Sequence, residues 1–130
     1  MRKSKRCLVA SICGLLFAGV IFAGIAWLIA SAKVALNQNR LAVIESIIAA
    51  YLLEGQTVPL PTYIAKTDPR IEVRTNAVLD RYHMPVRHVI EDRDDGIFIS
   101  VYSAGRDKKW GTRDDQKREG FFLRQGTDEQ

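Results

Sequence analysis

The chain has 130 residues, with 19 Lys or Arg against 15 Asp or Glu and a formal charge of +4. This length suits one compact domain rather than several, since single domains typically use about 100–150 residues. The excess charge comes entirely from four basic residues before Cys7, and the rest of the chain is balanced. A general polyanion-binding surface therefore lacks support, and no nucleic-acid partner is expected.

An apolar segment follows this basic cluster. No charged residue occurs from Cys7 to Ala32, and Leu8–Ala30 is dense in Leu, Ile, Val, Phe and Ala. A helix of this length extends roughly 35 Å, enough to cross a hydrocarbon core about 30 Å thick. The segment is therefore predicted to span a membrane once.

The basic cluster predicts the orientation, because Lys and Arg are enriched on the cytoplasmic side of membrane helices. The chain then divides into a cytoplasmic N-terminus (1–6), a transmembrane helix (7–32) and an extracytoplasmic domain (33–130). We expect that domain to be periplasmic or extracellular and attached to the cytoplasmic membrane.

A cleaved secretory signal is an open alternative. Ala30-Ser31-Ala32 has the small-x-small form that signal peptidase favours. The apolar run exceeds the roughly 7–15 residues of an ordinary signal core, which favours an uncleaved anchor. Both cysteines, Cys7 and Cys13, precede or lie within this run, so the exported domain contains no disulfide.

Beyond the span, apolar residues recur at helical spacing. The pattern predicts one continuous helix that is amphipathic in its second half and ends near Glu54-Gly55, where Gly is the stop signal. Val58-Pro59-Leu60-Pro61 then predicts an irregular connection. The apolar stripe consists of Val34, Leu41, Ile44, Ile47, Ile48 and Tyr51.

The second half of the domain has the composition of strands. Val86–Ile90 and Ile97–Ser103 are rich in β-branched and aromatic residues, and the turn-type run Glu91–Gly96 between them predicts a hairpin. Phe121–Leu123 predicts a last short strand. Ile71–Leu79 fits either a short helix or a strand, and Gly126–Gln130 has the composition of a frayed tail.

The predicted fold class is α+β, with the long helix packed on a small antiparallel sheet. By the strand period of two, Ile97, Ile99 and Val101 project to one face and would cover the apolar stripe of the helix.

The loop after the second predicted strand is the strongest candidate for a binding site. Gly105, Asp107, Gly111, Asp114 and Asp115 combine carboxylates with glycines, a pattern that can wrap oxygen ligands around a hard cation such as Ca²⁺. A solvated turn is the alternative interpretation. Four cations interleave with the aspartates and would weaken an ion site, or replace the ion by pairing with the carboxylates. These cations are Arg106, Lys108, Lys109 and Arg113.

The sequence shows no candidate catalytic site. His83 and His88 have no cysteine near them and are interpreted as surface or strand residues, and no nucleophile elbow, Walker loop or dinucleotide fingerprint occurs. We therefore expect a non-enzymatic protein with no small-molecule substrate. Trp110 is interpreted as covering the edge of the core, with an exposed docking face as the alternative.

Three stretches carry a family pattern: YLLEGQTVP at 51–59, DRYHMPV at 80–86 and SAGRDKKWGTRDD at 103–115. They resemble the helix exit, the Asp-Pro-Trp-Gly-Asn-Pro-Tyr segment and the calcium loop of the major pseudopilins of type II secretion systems and related pilin-like proteins. In order, they are spread between residues 51 and 115 of the chain after the span.

The resemblance implies a pilin-like fold and a calcium site. Asp107, Asp114 and Asp115 would supply side-chain oxygens, and Ala104 and Lys109 would supply carbonyl oxygens. It also implies protein partners, through helices that assemble side by side with copies of the chain or with other pseudopilins, and it implies no reaction.

The chain departs from the family at several positions. Pseudopilin precursors carry a Gly before an aromatic residue and a Glu shortly after it, whereas this span has no acidic residue. His83 and Lys108 stand where the family has Gly. The first hypothesis is a structural component of a type II secretion or pilus-like machine. The alternative is a stand-alone anchored binding or accessory module that does not polymerise.

Overall fold

A computed structural model describes residues 2–124 of the protein, with side chains from Lys5 onward. Contacts divide the chain into two units, Met1–Val34 and Ala35–Gln130. Helix α1 (Arg2–Leu53) begins in the first unit and continues into the second. The predicted tail at 126–130 lies outside the described residues.

The first part of α1 is long and apolar enough to cross a membrane. Its most apolar window has a mean hydropathy of 2.5, and none of that window is buried. Large side chains lie open along it, with Leu8 65% exposed and Phe22 77% exposed. Lipid tails solvate such side chains, whereas water does not. The predicted long apolar helix is confirmed.

Helix α1 ends where the sequence predicted. Gly55 has φ +63°, and the N–H of Gln56 donates to the carbonyl of Tyr51 at 3.3 Å. Many helices end with a residue in left-handed conformation, followed by an N–H that donates to a carbonyl of the last turn. Glycine is favoured at the left-handed position.

The region after Val58 is more regular than predicted. Helix α2 spans Leu60–Thr67 and follows Pro59. Pro61 lies in its first turn, where a missing N–H breaks no helical bond, so proline begins this helix rather than preventing it. The buried side chain of Ile64 fixes α2 to the core.

The undecided segment 71–79 contains a two-stranded hairpin. Strands β1 (Val73–Arg74) and β2 (Ala77–Val78) pair antiparallel. The two turn residues, Thr75 and Asn76, have φ +50° and +60°. Asn tolerates this left-handed conformation, but a β-branched Thr there is strained.

The remaining strands form one antiparallel sheet in the order β3-β4-β5. Strands β3 (Arg87–Arg93), β4 (Gly96–Ser103) and β5 (Gln116–Leu123) confirm the predicted strands but are longer. Asp94 and Asp95 alone form the β3–β4 turn. Charged residues extend β3 and β5 because these edge strands expose their side chains to solvent.

The core confirms the predicted contact between helix and sheet. Leu41, Ile44 and Ile48 of α1 form one cluster with Ile99 and Val101 of β4, each at most 2% exposed. Burying such a side chain contributes roughly 1.5–3 kcal/mol. The assignment of Val34 to the stripe is wrong, because it is 43% exposed and belongs to the first unit.

One carboxylate of α1 is buried beneath the sheet. Glu45 is 6% exposed, and its Oε2 has no hydrogen-bond partner among the described residues. The Nε of Arg118 lies 3.6 Å from this oxygen. Gly120 of β5 makes room for the carboxylate, because a Cβ there would lie 1.8 Å from Oε1. Burial raises the pKa of the Glu45 carboxyl, and the Arg118 charge opposes that rise.

We expect Glu45→Gln to stabilise the domain at pH 7 by about 1 kcal/mol, because it removes a poorly compensated buried charge. A raised pKa in the fold means that Glu45 stabilises below its ordinary value of 4.5 and loses this contribution as pH rises through its folded pKa. The variant's advantage in thermal midpoint should therefore vanish below about pH 4.5. An advantage independent of pH, or a loss at pH 7, would contradict this account.

Candidate functional site

The loop between β4 and β5 holds all five predicted ligand residues. Ala104 is fully buried at its start. Lys109 lies at the exposed middle of the loop, and Asp107, Asp114 and Asp115 are also exposed. The predicted side chains therefore share one loop, with their carboxylates accessible from solvent.

Each aspartate accepts a hydrogen bond from the loop backbone. Asp107 Oδ1 accepts from the N–H of Lys109 at 2.9 Å, which lowers the pKa of the Asp107 carboxyl. Asp114 Oδ2 accepts from the N–H of Asp107 at 3.2 Å. Asp115 Oδ2 accepts from the N–H of Gly111 at 2.8 Å. The Asp114 bond joins the two arms of the loop, and the other two bonds close shorter turns within it.

The sequence had left open whether the loop's own cations pair with its aspartates. In the described part of the chain, no Lys or Arg forms an ion pair with Asp107, Asp114 or Asp115. Backbone N–H groups donate instead to one oxygen of each of these carboxylates. The loop is closed by hydrogen bonds rather than by salt bridges.

The donor atoms fit calcium in type, because carboxylate and carbonyl oxygens are the ligands of hard cations. Across residues 2–124, however, no group of three or more His, Cys, Asp or Glu is assembled to hold a metal ion. Thr112 Oγ1 also donates to the carbonyl of Lys109 at 3.2 Å, on one of the implied ligand oxygens. The loop has suitable oxygens, but they face N–H and O–H donors.

Three loop residues have left-handed backbone conformation: Gly105 at φ +73°, Lys108 at +58° and Gly111 at +81°. Gly105 also touches the opposite arm of the loop, since a Cβ there would lie 1.9 Å from the carbonyl oxygen of Asp114. Gly111 has nothing within 4 Å of a built Cβ. Gly105 is required both by its close contact with Asp114 and by its positive φ, whereas Gly111 is required by its positive φ alone.

A buried polar cluster attaches the loop to the helix. Ser103 Oγ accepts from Asn37 Nδ2 at 3.0 Å and from the N–H of Gly105 at 3.1 Å. The same hydroxyl donates to Asp80 Oδ2 at 2.5 Å. Asn37 Nδ2 also donates to Gln116 Oε1 at 3.0 Å, at the start of β5. Both ends of the loop are therefore tied to α1.

Asp80 shapes the segment that leads into the sheet. Its Oδ1 accepts from the N–H groups of Tyr82 at 2.7 Å and Met84 at 3.0 Å. The turn places His83 at φ +60°, and His83 Nδ1 lies 2.6 Å from Glu72 Oε2. That contact lowers the pKa of the Glu72 carboxyl. Asp80 therefore has a structural role, because its carboxylate accepts hydrogen bonds from the backbone of the turn that follows it.

The sequence missed this cluster. Asn37 is a polar residue within the amphipathic helix pattern, for which a position facing water is expected, yet it is fully buried. Its side-chain partners lie 66 and 79 residues away along the chain. The one available signal was Ser103 directly before the loop motif, which the family resemblance includes.

Trp110 makes a contact that the sequence did not predict. The guanidinium of Arg87, at the start of β3, lies 4.1 Å from the centre of the indole ring. A cation over an aromatic face contributes about 0.5–1 kcal/mol at an exposed site. The contact fixes the middle of the loop against the sheet.

Comparisons with protein-family models, with curated proteins and with solved structures found no match. The functional proposals for this chain therefore rest on its own residues and geometry.

Gly105→Ala and Gly111→Ala form a matched pair that tests the closure of the loop. Both variants place a side chain at positive φ, which costs about 1 kcal/mol. Only Gly105→Ala adds the contact with Asp114, for which overpacking adds about 1–3 kcal/mol. The thermal midpoint of the full chain in detergent should fall clearly further for Gly105→Ala. Equal losses would show that the two arms of the loop are not in contact.

Proposed function

We propose that this chain is a membrane-anchored, pilin-like structural component of a type II secretion or pilus-like machine. Residues 7–32 hold it in the cytoplasmic membrane, with 33–130 on the periplasmic or extracellular side. It contributes protein contacts and catalyses no reaction. Its C-terminal loop binds Ca²⁺ through Asp107, Asp114 and Asp115, with carbonyl oxygens from Ala104 and Lys109.

The observation that carries this proposal is the backbone at the two positions where the family has glycine. His83 and Lys108 have φ +60° and +58°. Glycine adopts this conformation more readily than residues with a side chain. The chain therefore keeps the glycine conformation at both places although it has lost the glycines, which supports a common backbone plan with the pseudopilins.

The first part of α1 supports the anchor. It is apolar, unburied and preceded by basic residues, as a single-pass anchor with a cytoplasmic N-terminus requires. The second part supports the pilin-like domain, because the same helix buries Leu41, Ile44 and Ile48 against the sheet. One helix thus supplies both the membrane segment and the core of the exported domain.

A stand-alone anchored module is the second candidate function. It is favoured by the span itself, which lacks the acidic residue that pseudopilins use for subunit registry. Such a module would keep the helix, sheet and loop but would bind partners as a single copy.

The native cysteines provide a test of anchoring and assembly together. Cys7 and Cys13 are both exposed on α1. We expect the full chain to stay with alkali-extracted membranes at its uncleaved size. Copper-phenanthroline oxidation in those membranes should give disulfide-linked multimers, because side-by-side helices bring identical cysteines together. The Cys7→Ser/Cys13→Ser double variant is the control and should give none.

The other outcomes of this experiment separate the candidates. Retention in the membrane without crosslinks at any oxidant concentration would favour the stand-alone module. A soluble product that begins at Lys33 would show cleavage after Ala30-Ser31-Ala32 and would overturn the anchor.

Calcium binding is tested by thermal melts of the full chain in detergent, with excess calcium and with chelator. A ligand that binds only the folded state stabilises by about 2.7 kcal/mol at a hundredfold excess over its dissociation constant. We expect the midpoint to rise with calcium and the rise to disappear in Asp107→Asn and Asp114→Asn. Asn keeps an oxygen for the backbone N–H but removes the charge.

Asp94→Asn, in the exposed β3–β4 turn, is the control for surface charge and should keep the calcium response. Equal midpoints of the native chain in calcium and chelator would show that its hydrogen bonds alone close the loop. That result would remove the calcium site from the proposal.

A further inference from the structure

A small crevice of about 150 Å³ opens between α1 and the segments that flank the β1–β2 hairpin. It combines guanidinium groups with apolar side chains, and none of its lining residues belongs to the β4–β5 loop. We call it the arginine crevice. Its principal lining residues are Leu36, Asn39, Arg40, Val43, Ile71 and Arg81.

Two backbone carbonyl groups hold the guanidinium of Arg40 at the crevice. Its Nη2 donates to the carbonyl of Arg70 at 3.0 Å, and its Nη1 donates to the carbonyl of Asp80 at 3.4 Å. These contacts orient the planar group but use only part of its N–H donors. A carbonyl group has no net charge, so neither contact neutralises Arg40.

Arg81 brings a second guanidinium to the same crevice. The residue is exposed, and its backbone N–H donates to Asn37 Oδ1 at 2.9 Å, which fixes it to α1. Burial lowers the pKa of the Arg40 guanidinium, and the Arg81 charge lowers it further. The effect of Arg81 is a repulsion between like charges, which an anion bound between the two groups would relieve.

One carboxylate lines the crevice, and it is already paired. Asp68 Oδ1 and Oδ2 accept from Arg70 Nε and Nη2, each at 2.9 Å. These bonds lower the pKa of the Asp68 carboxyl. Because the Asp68–Arg70 pair adds no net charge, the positive charges of Arg40 and Arg81 remain in excess.

The other two carboxylates that act on the Arg40 charge, Asp80 and Glu72, have partners elsewhere. Asp80 accepts from a buried hydroxyl and from backbone N–H groups. Glu72 pairs with Arg74. Within the described residues, neither Arg40 nor Arg81 forms an ion pair. The counter-charge that this crevice attracts must therefore come from a bound anion.

We propose that the arginine crevice binds a phosphate group, either as inorganic phosphate or as the phosphate of a lipid head group. Arg40 and Arg81 hold its oxygens through charge-assisted N–H donors. The crevice admits a phosphate group, whereas drug-sized ligands need about 300–1,000 Å³. Leu36 and Val43, 44% and 37% exposed, give apolar contact to a carbon chain esterified to the phosphate.

Two guanidinium groups fit a phosphate better than they fit a carboxylate. A single guanidinium already matches both oxygens of a carboxylate, as the pair of Arg70 with Asp68 shows. A phosphate group has further acceptor oxygens, so Arg40 and Arg81 can each bind it. The site is separate from the calcium-type loop and does not depend on the proposed assembly.

The first probe is inorganic phosphate, titrated by calorimetry into the full chain in a maltoside detergent to a concentration on the order of 10 mM. Arg81→Gln should weaken binding about tenfold, because one charge-assisted contact is lost. Arg113→Gln removes the same charge from an exposed arginine of the β4–β5 loop and should keep the native affinity. Equal losses in the two variants would show general charge attraction and would overturn the site.

A matched pair of amide-to-carboxylate changes tests the crevice itself. Asn39→Asp places a carboxylate in the lining, where it competes with phosphate for Arg40 and Arg81. Gln38→Glu makes the same change at the neighbouring position, which does not line the crevice. Asn39→Asp should weaken phosphate about tenfold and Gln38→Glu less than about twofold. Equal effects of the two changes would contradict binding in the crevice.

Dihexanoyl phosphatidic acid separates the two sources of the phosphate group. Its partition into detergent micelles is the same for the native chain and Arg81→Gln, so their difference measures binding in the crevice. A lipid ligand should bind about tenfold more tightly than inorganic phosphate, and Val43→Ser should reduce only this advantage. Affinities within about twofold of each other would identify inorganic phosphate as the ligand.

Two results would overturn the proposal as a whole. The first is that neither phosphate probe saturates the native chain. The second is that acetate binds as tightly as inorganic phosphate and is equally weakened by Arg81→Gln, because the crevice would then be a carboxylate site, such as one for an acidic side chain of a partner protein.

Discussion

The hydroxyl of Ser103 joins three parts of the domain at one fully buried point. It binds α1 through Asn37, the segment leading into the sheet through Asp80, and the β4–β5 loop through the N–H of Gly105. Where water has no access, each of these groups depends on the others for its hydrogen bonds. Leaving one buried partner unsatisfied costs about 1–3 kcal/mol. The exposed aspartates are therefore held by a polar cluster in the core, so the loop and the packing of α1 form one unit.

The apolar part of this arrangement was predictable from sequence. A period of 3.6 in α1 and of 2 in β4 identified the two surfaces that meet, and Gly55 marked the end of the helix. Asn37 and Glu45 were not predictable in the same way, because a polar residue within an amphipathic helix is expected to face water. Their burial depends on Ser103, Gln116 and Gly120, which only the folded sheet brings near the helix.

Local sequence patterns also failed to predict the backbone conformation at positions where tertiary contacts select it. Thr75, His83 and Lys108 have positive φ without being glycine, so no turn pattern identified them. Proline was interpreted as a helix breaker at Pro61, where its position in the first turn makes it a helix starter. In the candidate site, residue type and spacing placed the aspartates on one loop. Residue type and spacing did not determine whether backbone N–H groups, lysines or an ion would bind these carboxylates. Each of the three is a hydrogen-bond donor or a positive charge that a carboxylate attracts.

The recess that Gly120 provides for Glu45 also selects the alignment of the sheet. In the folded sheet Gly120 lies opposite Ile99, and Glu45 fills the space left by the absent side chain. A slip of β5 by two residues keeps its inward and outward faces, so apolar patterning alone does not penalise it. Such a slip would bring Arg118 or Phe122 opposite Ile99 and close the recess over the Glu45 carboxylate. The Glu45 carboxylate and Gly120 therefore select the register of β5 on β4. With a shifted register, α1 could not pack on the sheet as it does in the native fold.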